Sequence, residues 1–87
     1  MKSKCTRRFW KLHDALPAHV QKLASKSYEL WRRAHNYPSL DFKKLKGGRG
    51  NRFSVRVGDH HSAIGQLVGE TVEWVWIGTH EDYNKLL

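Results

Sequence analysis

The sequence predicts an α+β domain in which an N-terminal helical hairpin packs on a small, twisted antiparallel sheet of three to four strands. Two segments before residue 38 carry apolar residues at helical spacing. Three runs after residue 52 have strand character and are separated by glycine-containing turns. The connections between these runs are too short for a crossover helix, so antiparallel pairing is expected. A chain of 87 residues is predicted to form one domain, residues 1–87.

The predicted hairpin consists of two helices joined at Pro17. Thr6 is expected to cap the first helix through its hydroxyl. Pro17 ends that helix and can serve as the first residue of the next. The run Asn36-Tyr-Pro is expected to stop the second helix. The apolar stripe of the second helix contains Val20, Leu23, Ala24, Ser27, Leu30, Trp31 and Ala34.

The predicted sheet follows from three runs, at residues 53–57, 63–68 and 71–77. The first run alternates apolar and polar side chains, which is typical of a strand with one buried face. The last run is the most apolar, and both Trp31 and Trp76 are expected to pack in the core rather than to bind a ligand. The short basic segment at residues 1–5, which contains Lys2 and Lys4, is expected either to fray or to add one edge strand.

The composition indicates a partner of opposite charge. Sixteen Lys and Arg residues against eight Asp and Glu give a formal charge of +8, which attracts polyanions such as nucleic acid. The single Cys5 excludes an intrachain disulfide and is expected to be an ordinary thiol. We find neither an apolar run of membrane-spanning length nor a signal-peptide pattern, so a cytoplasmic location and no membrane partner are expected.

Two common kinds of site are not predicted. The glycine-containing basic stretch at residues 39–51 lacks the Lys-Ser/Thr ending of a nucleotide-binding P-loop. The six histidines also do not predict a metal site. His60 and His61 are adjacent, so in a strand they would point to opposite faces, and no Cys pair accompanies His80.

A different constellation suits metal-free RNA cleavage. His80 and Tyr83 directly follow the last strand, and Arg56 lies on the polar face of the first. Such cleavage needs a base for the ribose 2′-hydroxyl, cations for the phosphorane and an acid for the departing 5′-oxygen. Taken by themselves, the residues favour the simpler interpretation that His80 and Tyr83 only cap the last strand.

The sequence resembles the RelE/ParE superfamily of bacterial toxins. The resemblance rests on Lys44-Leu-Lys-Gly, on Phe53-Ser-Val-Arg-Val-Gly-Asp, and on the ending Gly78-Thr-His, which is similar to the YafQ-like branch with its catalytic histidine. It implies the RelE-like fold, a neutralising antitoxin, and ribosome-dependent mRNA cleavage that uses no metal or other cofactor.

The resemblance also assigns roles to residues. It implies that His80 is a general acid/base and that Tyr83 stacks on or orients the substrate. It implies that Arg56 and Lys46 hold RNA phosphate. Further RNA contacts are expected from the basic residues around them, namely Lys44, Arg49, Arg52 and His60.

The sequence departs from the family pattern at two places. Family members usually carry an arginine where this chain has Ser62, and a hydroxyl cannot replace a guanidinium beside a dianionic transition state. Either Ser62 marks an inactivated variant, natural or engineered, or His61 compensates for the missing arginine. The short N-terminus is the second departure, because it leaves little room for the family's first strand.

Three functions remain open on these grounds. The first is the toxin of a type II toxin–antitoxin system, an endoribonuclease (mRNA interferase) that acts on mRNA in the ribosome and contacts ribosomal RNA. The second is a non-cleaving member of the fold, either a ParE-like gyrase inhibitor or a relative that only binds its antitoxin. The third is a basic RNA- or ribosome-binding module, which leaves Gly78-Thr-His unexplained.

Overall fold

The computed structural model describes residues 2–46 and 51–86. These residues form a five-stranded sheet with a helical hairpin on one face and a short third helix at the C-terminus. The elements are β1 (Lys2–Cys5), α1 (Arg7–Asp14), α2 (Ala18–Arg33), a 3₁₀ turn (Pro38–Leu40), β2 (Lys43–Lys44), β3 (Arg52–Val57), β4 (His61–Val68), β5 (Thr71–Thr79) and α3 (His80–Leu86). The predicted α+β class, with a hairpin on a sheet, is confirmed.

The sheet is larger than predicted and is mixed rather than purely antiparallel. Its order is β1-β5-β4-β3-β2, and β1 pairs with β5 in parallel. The N-terminal residues therefore form an ordered edge strand, whose end is fixed because the backbone N–H of Thr6 donates to the Trp74 carbonyl at 3.0 Å. Parallel pairing needs a long connection, which the chain between β1 and β5 supplies.

The second additional strand lies in the basic stretch. In β2, Lys43 pairs with Ser54 and Lys44 pairs with Phe53. Strand β1 is the edge strand that was one of two alternatives for the N-terminal residues, whereas β2 was not predicted, and together they extend the sheet at both edges. Because β2 has two residues, it covers only the start of β3 and leaves the edge near Arg56 unpaired by β2.

The helical hairpin forms as its sequence predicts. The Thr6 hydroxyl accepts a hydrogen bond from the Phe9 backbone N–H at 3.2 Å, as expected of an N-cap. Pro17 takes the N-cap position of α2, one residue before the first helical position predicted for it. Phe9 and Trp31, from the two helices, pack against Val55 and Trp74 of the sheet in one core cluster.

A β-bulge in β5 decides where its aromatic residues lie. The register between β4 and β5 shifts at Ile64/Gly65, so that Trp74 faces Gly65 and Trp76 faces Ile64. Successive strand residues alternate faces, and one inserted residue reverses that alternation. Trp74 therefore joins the core under the helices, whereas Trp76 is buried outside that cluster, in contact with Tyr83 of α3.

Helix α3 was not predicted, although the sequence contains its start signal. The Asp82 backbone N–H donates to the Thr79 hydroxyl at 3.1 Å, and Glu81 and Asp82 place acidic groups in the first turn. His80 is therefore the first residue of a helix rather than part of an irregular tail. In the described parts of the chain, none of the helices is long and apolar enough to cross a membrane.

Candidate active site

A polar cleft of about 230 Å³ lies where β2, β3 and β4 meet α3. It brings together four of the residues singled out from the sequence: Arg56, Ser62, His80 and Tyr83. We call it the His80 cleft. The other residues that line it are Asp41, Lys43, Ser54, Val55 and Asn84.

Strand register places Arg56 and Ser62 side by side. Arg56 of β3 pairs directly with Ser62 of β4, which in turn pairs with Gly78 of β5. Ser62 is 7% exposed and forms part of the cleft wall, whereas the Arg56 side chain reaches solvent. Arg56 therefore stands next to the position at which the family resemblance implies a second arginine.

Gly78 has a specific packing role beneath α3. A Cβ at this position would lie 2.6 Å from Cζ2 of Trp76, so only glycine leaves room for that indole. The Trp76 ring in turn lies 6.4 Å from the Tyr83 ring, at an interplanar angle of 43°. Gly78 and Trp76 thus support the helix that carries Tyr83 into the cleft.

The start of α3 is tied to the turn between β3 and β4. The His80 backbone N–H donates to the His60 carbonyl at 2.9 Å. Together with the Thr79 cap, this bond fixes the backbone that carries the His80 side chain. His60 itself is exposed and does not line the His80 cleft.

The cleft carries three basic side chains and one carboxylate. Lys43 and Asp41 form an exposed ion pair, with Nζ and Oδ2 3.3 Å apart; such a pair contributes little stability and is easily exchanged for a phosphate contact. Arg56 has no carboxylate within 4.0 Å among the described residues. An imidazole, a phenol and an uncommitted guanidinium are the groups that acid–base chemistry on a phosphodiester requires.

His61 lies on the other face of the sheet. It pairs with Val57, and its strand neighbour Ser62 faces the cleft, so the side chain of His61 leaves towards the helices. Burial lowers the pKa of His61, and the nearby imidazoles of His60, His80 and His19 lower that pKa further. An imidazole on the opposite face does not stand where the charge is missing at Ser62.

The predicted RNA-binding lysines and arginines divide in the same way. Lys44 pairs with Phe53 and faces the helix side, whereas Lys43 lines the cleft. Lys46 and Arg52 are exposed but do not line it. Arg49 lies outside the described residues.

Sequence reasoning did not select Asp41, Lys43, Ser54 and Asn84 as site residues. Alternation along a strand means that only one of Lys43 and Lys44 can share a face with Arg56, but which one does depends on the register of β2 with β3. Asn84 follows Tyr83 on α3, which was not predicted. Asp41 has a left-handed backbone, with φ 45°, at the end of the 3₁₀ turn, and no sequence pattern indicates that conformation.

A larger cavity of about 310 Å³ lies between the helical hairpin and the sheet. Aromatic and aliphatic side chains, including Phe9, Tyr28 and Trp74, form most of its wall. Its lining in the described chain includes His13 but no Lys or Arg, so it offers no cation to a phosphate. In residues 2–46 and 51–86, no group of three or more His, Cys, Asp or Glu side chains is arranged to hold a metal ion.

Comparison with known proteins identifies the family and the fold. The model of the ParE-like toxin domain matches residues 18–85. RelE from the Methanococcus jannaschii RelB–RelE antitoxin–toxin complex is similar in structure, with a TM-score of 0.74, 23% identity, and coverage of 95% of this chain and 96% of that one.

Two further structures have the same fold at lower identity. The YoeB/ParE toxin from Agrobacterium tumefaciens has a TM-score of 0.71 and 17% identity, and the match covers 92% of this chain and 99% of that one. YafQ from E. coli strain BL21(DE3) has a TM-score of 0.70 and 12% identity, with 94% and 96% covered. No curated protein sequence matches significantly. The predicted RelE-like fold is therefore confirmed.

Proposed function

The chain belongs to the ParE-like toxin family, and on that premise we propose that it is the toxin of a type II toxin–antitoxin pair and cleaves mRNA in the ribosome. The observation that carries this proposal is the convergence of Arg56, His80 and Tyr83, from β3 and α3, on one cleft. The interpretation of His80 and Tyr83 as mere capping groups gives no reason for that convergence. The charge of +8 suits a substrate surrounded by RNA.

In the proposed reaction the ribose 2′-oxygen loses its proton, attacks the adjacent phosphorus and displaces the 5′-oxygen. The products are a 2′,3′-cyclic phosphate and a 5′-hydroxyl, with the proton returned to the leaving oxygen. His80 accepts the proton of the 2′-hydroxyl and returns it to the leaving 5′-oxygen, because imidazole is suited to proton transfer near neutral pH. Arg56 stabilises the charge of the phosphorane, and Tyr83 orients the nucleotide.

The loss of an arginine at position 62 is offset, in this proposal, by the arginine that remains. Ser62 and Arg56 are directly paired, so a guanidinium on β3 reaches the same cleft that an arginine on β4 would reach. Lys43 adds a second positive charge once its exposed pair with Asp41 opens. RNA cleavage by this protein should therefore depend on Arg56 more strongly than cleavage in a cleft with two arginines.

We further propose that a cognate antitoxin neutralises the protein. The matched M. jannaschii RelE occurs in an antitoxin–toxin complex, and the basic side chains around the His80 cleft suit an acidic partner segment. An extended or amphipathic segment laid over that cleft would block substrate and pair with Arg56.

One observation favours a second candidate, a member of the family that binds but does not cut RNA. The nearly buried hydroxyl of Ser62 supplies no charge where the resemblance implies one. In that case the protein would act through its antitoxin or, as a ParE-like protein, on DNA gyrase.

Inducible expression followed by mapping of mRNA 5′ ends on ribosomes tests the proposal. Cuts aligned with the A-site codon are expected from the unsubstituted chain, with stronger cutting and growth arrest from Ser62→Arg. His80→Ala should abolish the cuts, whereas His35→Ala, outside the cleft, serves as the control. Cuts only in Ser62→Arg would identify a disarmed nuclease, and gyrase inhibition with intact mRNA would overturn the nuclease proposal.

A further inference from the structure

A second polar cleft, of about 260 Å³, lies beside the His80 cleft. Lys26 and Ser27 of α2 form one wall, and Ser39 belongs to the 3₁₀ turn. Asp59 and Arg56 close it from the sheet side. We call it the Lys26 cleft.

Arg56 lines both clefts. This is possible because β2 pairs only with residues 53 and 54 of β3, which leaves the strand edge near Arg56 open. The surface around that edge runs from the sheet face that carries Ser62 to the side of α2 that carries Lys26. Arg56 therefore stands at the junction of the two clefts rather than deep in either.

The Lys26 cleft has the donors that a phosphate needs. Two cations, Lys26 and Arg56, and two hydroxyls, Ser27 and Ser39, face one carboxylate, Asp59. Among the described residues, none of these five side chains makes an ion pair or a side-chain hydrogen bond. Their polar groups are consequently available to a ligand.

A phosphodiester fits this cleft better than a base does. The apolar part of its lining consists of Leu30 and Leu40, and no aromatic ring is among its described lining residues. Recognition of an unpaired base normally uses a ring on which the base stacks. Ammonium, guanidinium and hydroxyl groups instead match the oxygens of a phosphate.

We propose that the Lys26 cleft is a subsite for an RNA phosphate next to the scissile one. The RNA strand passes Arg56 on its way out of the His80 cleft, and Lys26 with Ser39 holds the neighbouring phosphodiester around the edge of the sheet. This inference rests on the proposed function, because it takes single-stranded RNA as the ligand. It assigns binding, not proton transfer, to α2.

Fluorescence anisotropy with a short single-stranded RNA, over a series of salt concentrations, measures the contact. His80→Ala serves as the parent protein so that the RNA stays intact. Adding Lys26→Ala should weaken binding about three- to tenfold and lower the slope of log K against log[salt] by about 0.7, the value for one phosphate contact on a single strand. Lys22→Ala, one helical turn earlier and outside the cleft, should change neither quantity.

A methylphosphonate scan of the same RNA locates the contact. One neutral linkage beside the cleavage position should weaken binding to the parent but have no further effect on Lys26→Ala. Ser39→Ala should give a smaller loss that disappears with the same neutral linkage.

The outcomes separate the two proposals. Equal effects of Lys26→Ala and Lys22→Ala, while Arg56→Ala still weakens RNA binding, would overturn the subsite and leave the nuclease proposal intact. An effect of Lys26→Ala with no linkage dependence would also overturn it, because the lysine would then act only through general charge. RNA binding that is insensitive to Arg56→Ala would overturn both the phosphate subsite and the nuclease proposal.

Discussion

The two faces of the sheet are built from the same strands but differ in what their side chains do. On the helix face Val55, Trp74 and Ile77 pack with Phe9 and Trp31 in one apolar cluster. On the other face Ser54, Arg56 and Ser62 line a polar cleft. Alternation along β3 and β4 assigns every second residue to each face. Substitutions on the helix face should therefore change mainly stability, and substitutions of Arg56 on the cleft face should change mainly the proposed chemistry.

The largest expected effect is loss of stability on the helix face. Trp31 is 2% exposed, and Trp31→Ala removes a large core side chain, which costs about 3–5 kcal/mol. That is a substantial share of the total stability of a small domain. Denaturant unfolding measures it, with Trp10→Ala as the matched control; Trp10 is 49% exposed and should cost about 1 kcal/mol or less. Equal losses for the two tryptophans would show that the hairpin does not form the core described.

The next effect is loss of activity on the cleft face. Arg56→Ala should reduce the rate of RNA cleavage about 10²- to 10³-fold, as removal of one group that stabilises transition-state charge does. Arg56 is exposed and makes no ion pair in the described chain. The free energy of unfolding of Arg56→Ala should therefore differ by only about 0.5 kcal/mol from that of the unsubstituted protein. Arg52→Ala, on the same strand and face but outside the cleft, is the control. A similar loss of rate in both variants would contradict a specific role for Arg56.

Gly78→Ala should have a smaller effect that involves both stability and RNA cleavage. Gly78→Ala puts a methyl group where the Trp76 indole lies, and overpacking of this kind costs about 1–3 kcal/mol. Because Trp76 contacts Tyr83, the variant should also raise KM for RNA. Gly69→Ala, at the turn between β4 and β5, places alanine at a φ of 61° and so also lowers stability, but its methyl group meets no atom within 4 Å and KM should stay unchanged. An unchanged KM in Gly78→Ala would remove Trp76 from the support of the cleft.

The smallest effect is a pH dependence at the edge between the faces. The pKa of His61 is lowered from 6.5 by burial and by neighbouring histidines, so the unfolded chain binds more protons just below pH 6.5. Stability should therefore be complete above about pH 6.5 and fall as pH drops below it. Unfolding measured between pH 5 and 8 checks this, and His61→Gln should reduce the fall. The opposite result would be a stability that rises as the pH falls from 8 to 5, with the rise absent in His61→Gln. It would contradict the lowered pKa of His61.

Much of the fold could be predicted from local patterns. The Thr6 cap, the joint at Pro17 and the turn at Gly69, where φ is 61°, all follow from short-range chemistry. The edge strand β1 could not be derived in this way, because its partner is β5, almost seventy residues along the chain. The bulge that puts Trp74 and Trp76 on opposite faces of the sheet could not be predicted either, because it depends on packing between strands rather than on either residue.

The candidate site was predictable only in part for the same reason. Arg56, His80 and Tyr83 were found through the family resemblance and a strand pattern. The use of Lys43 instead of Lys44 depends on the register of a two-residue strand. Compensation by His61 was one of two alternatives for Ser62, but adjacent strand residues face opposite sides, so we propose Arg56 for that role.

A rescue experiment can show whether Arg56 supplies the guanidinium that position 62 lacks. Purified protein is added to ribosomes programmed with a defined mRNA, and A-site cuts are quantified for the unsubstituted chain, Arg56→Ala, and Arg56→Ala combined with Ser62→Arg. We expect Arg56→Ala nearly to abolish cutting and Ser62→Arg to restore much of it, because the two positions are directly paired in register. Undiminished cutting in Arg56→Ala, or no recovery in the folded double variant, would contradict this role of Arg56.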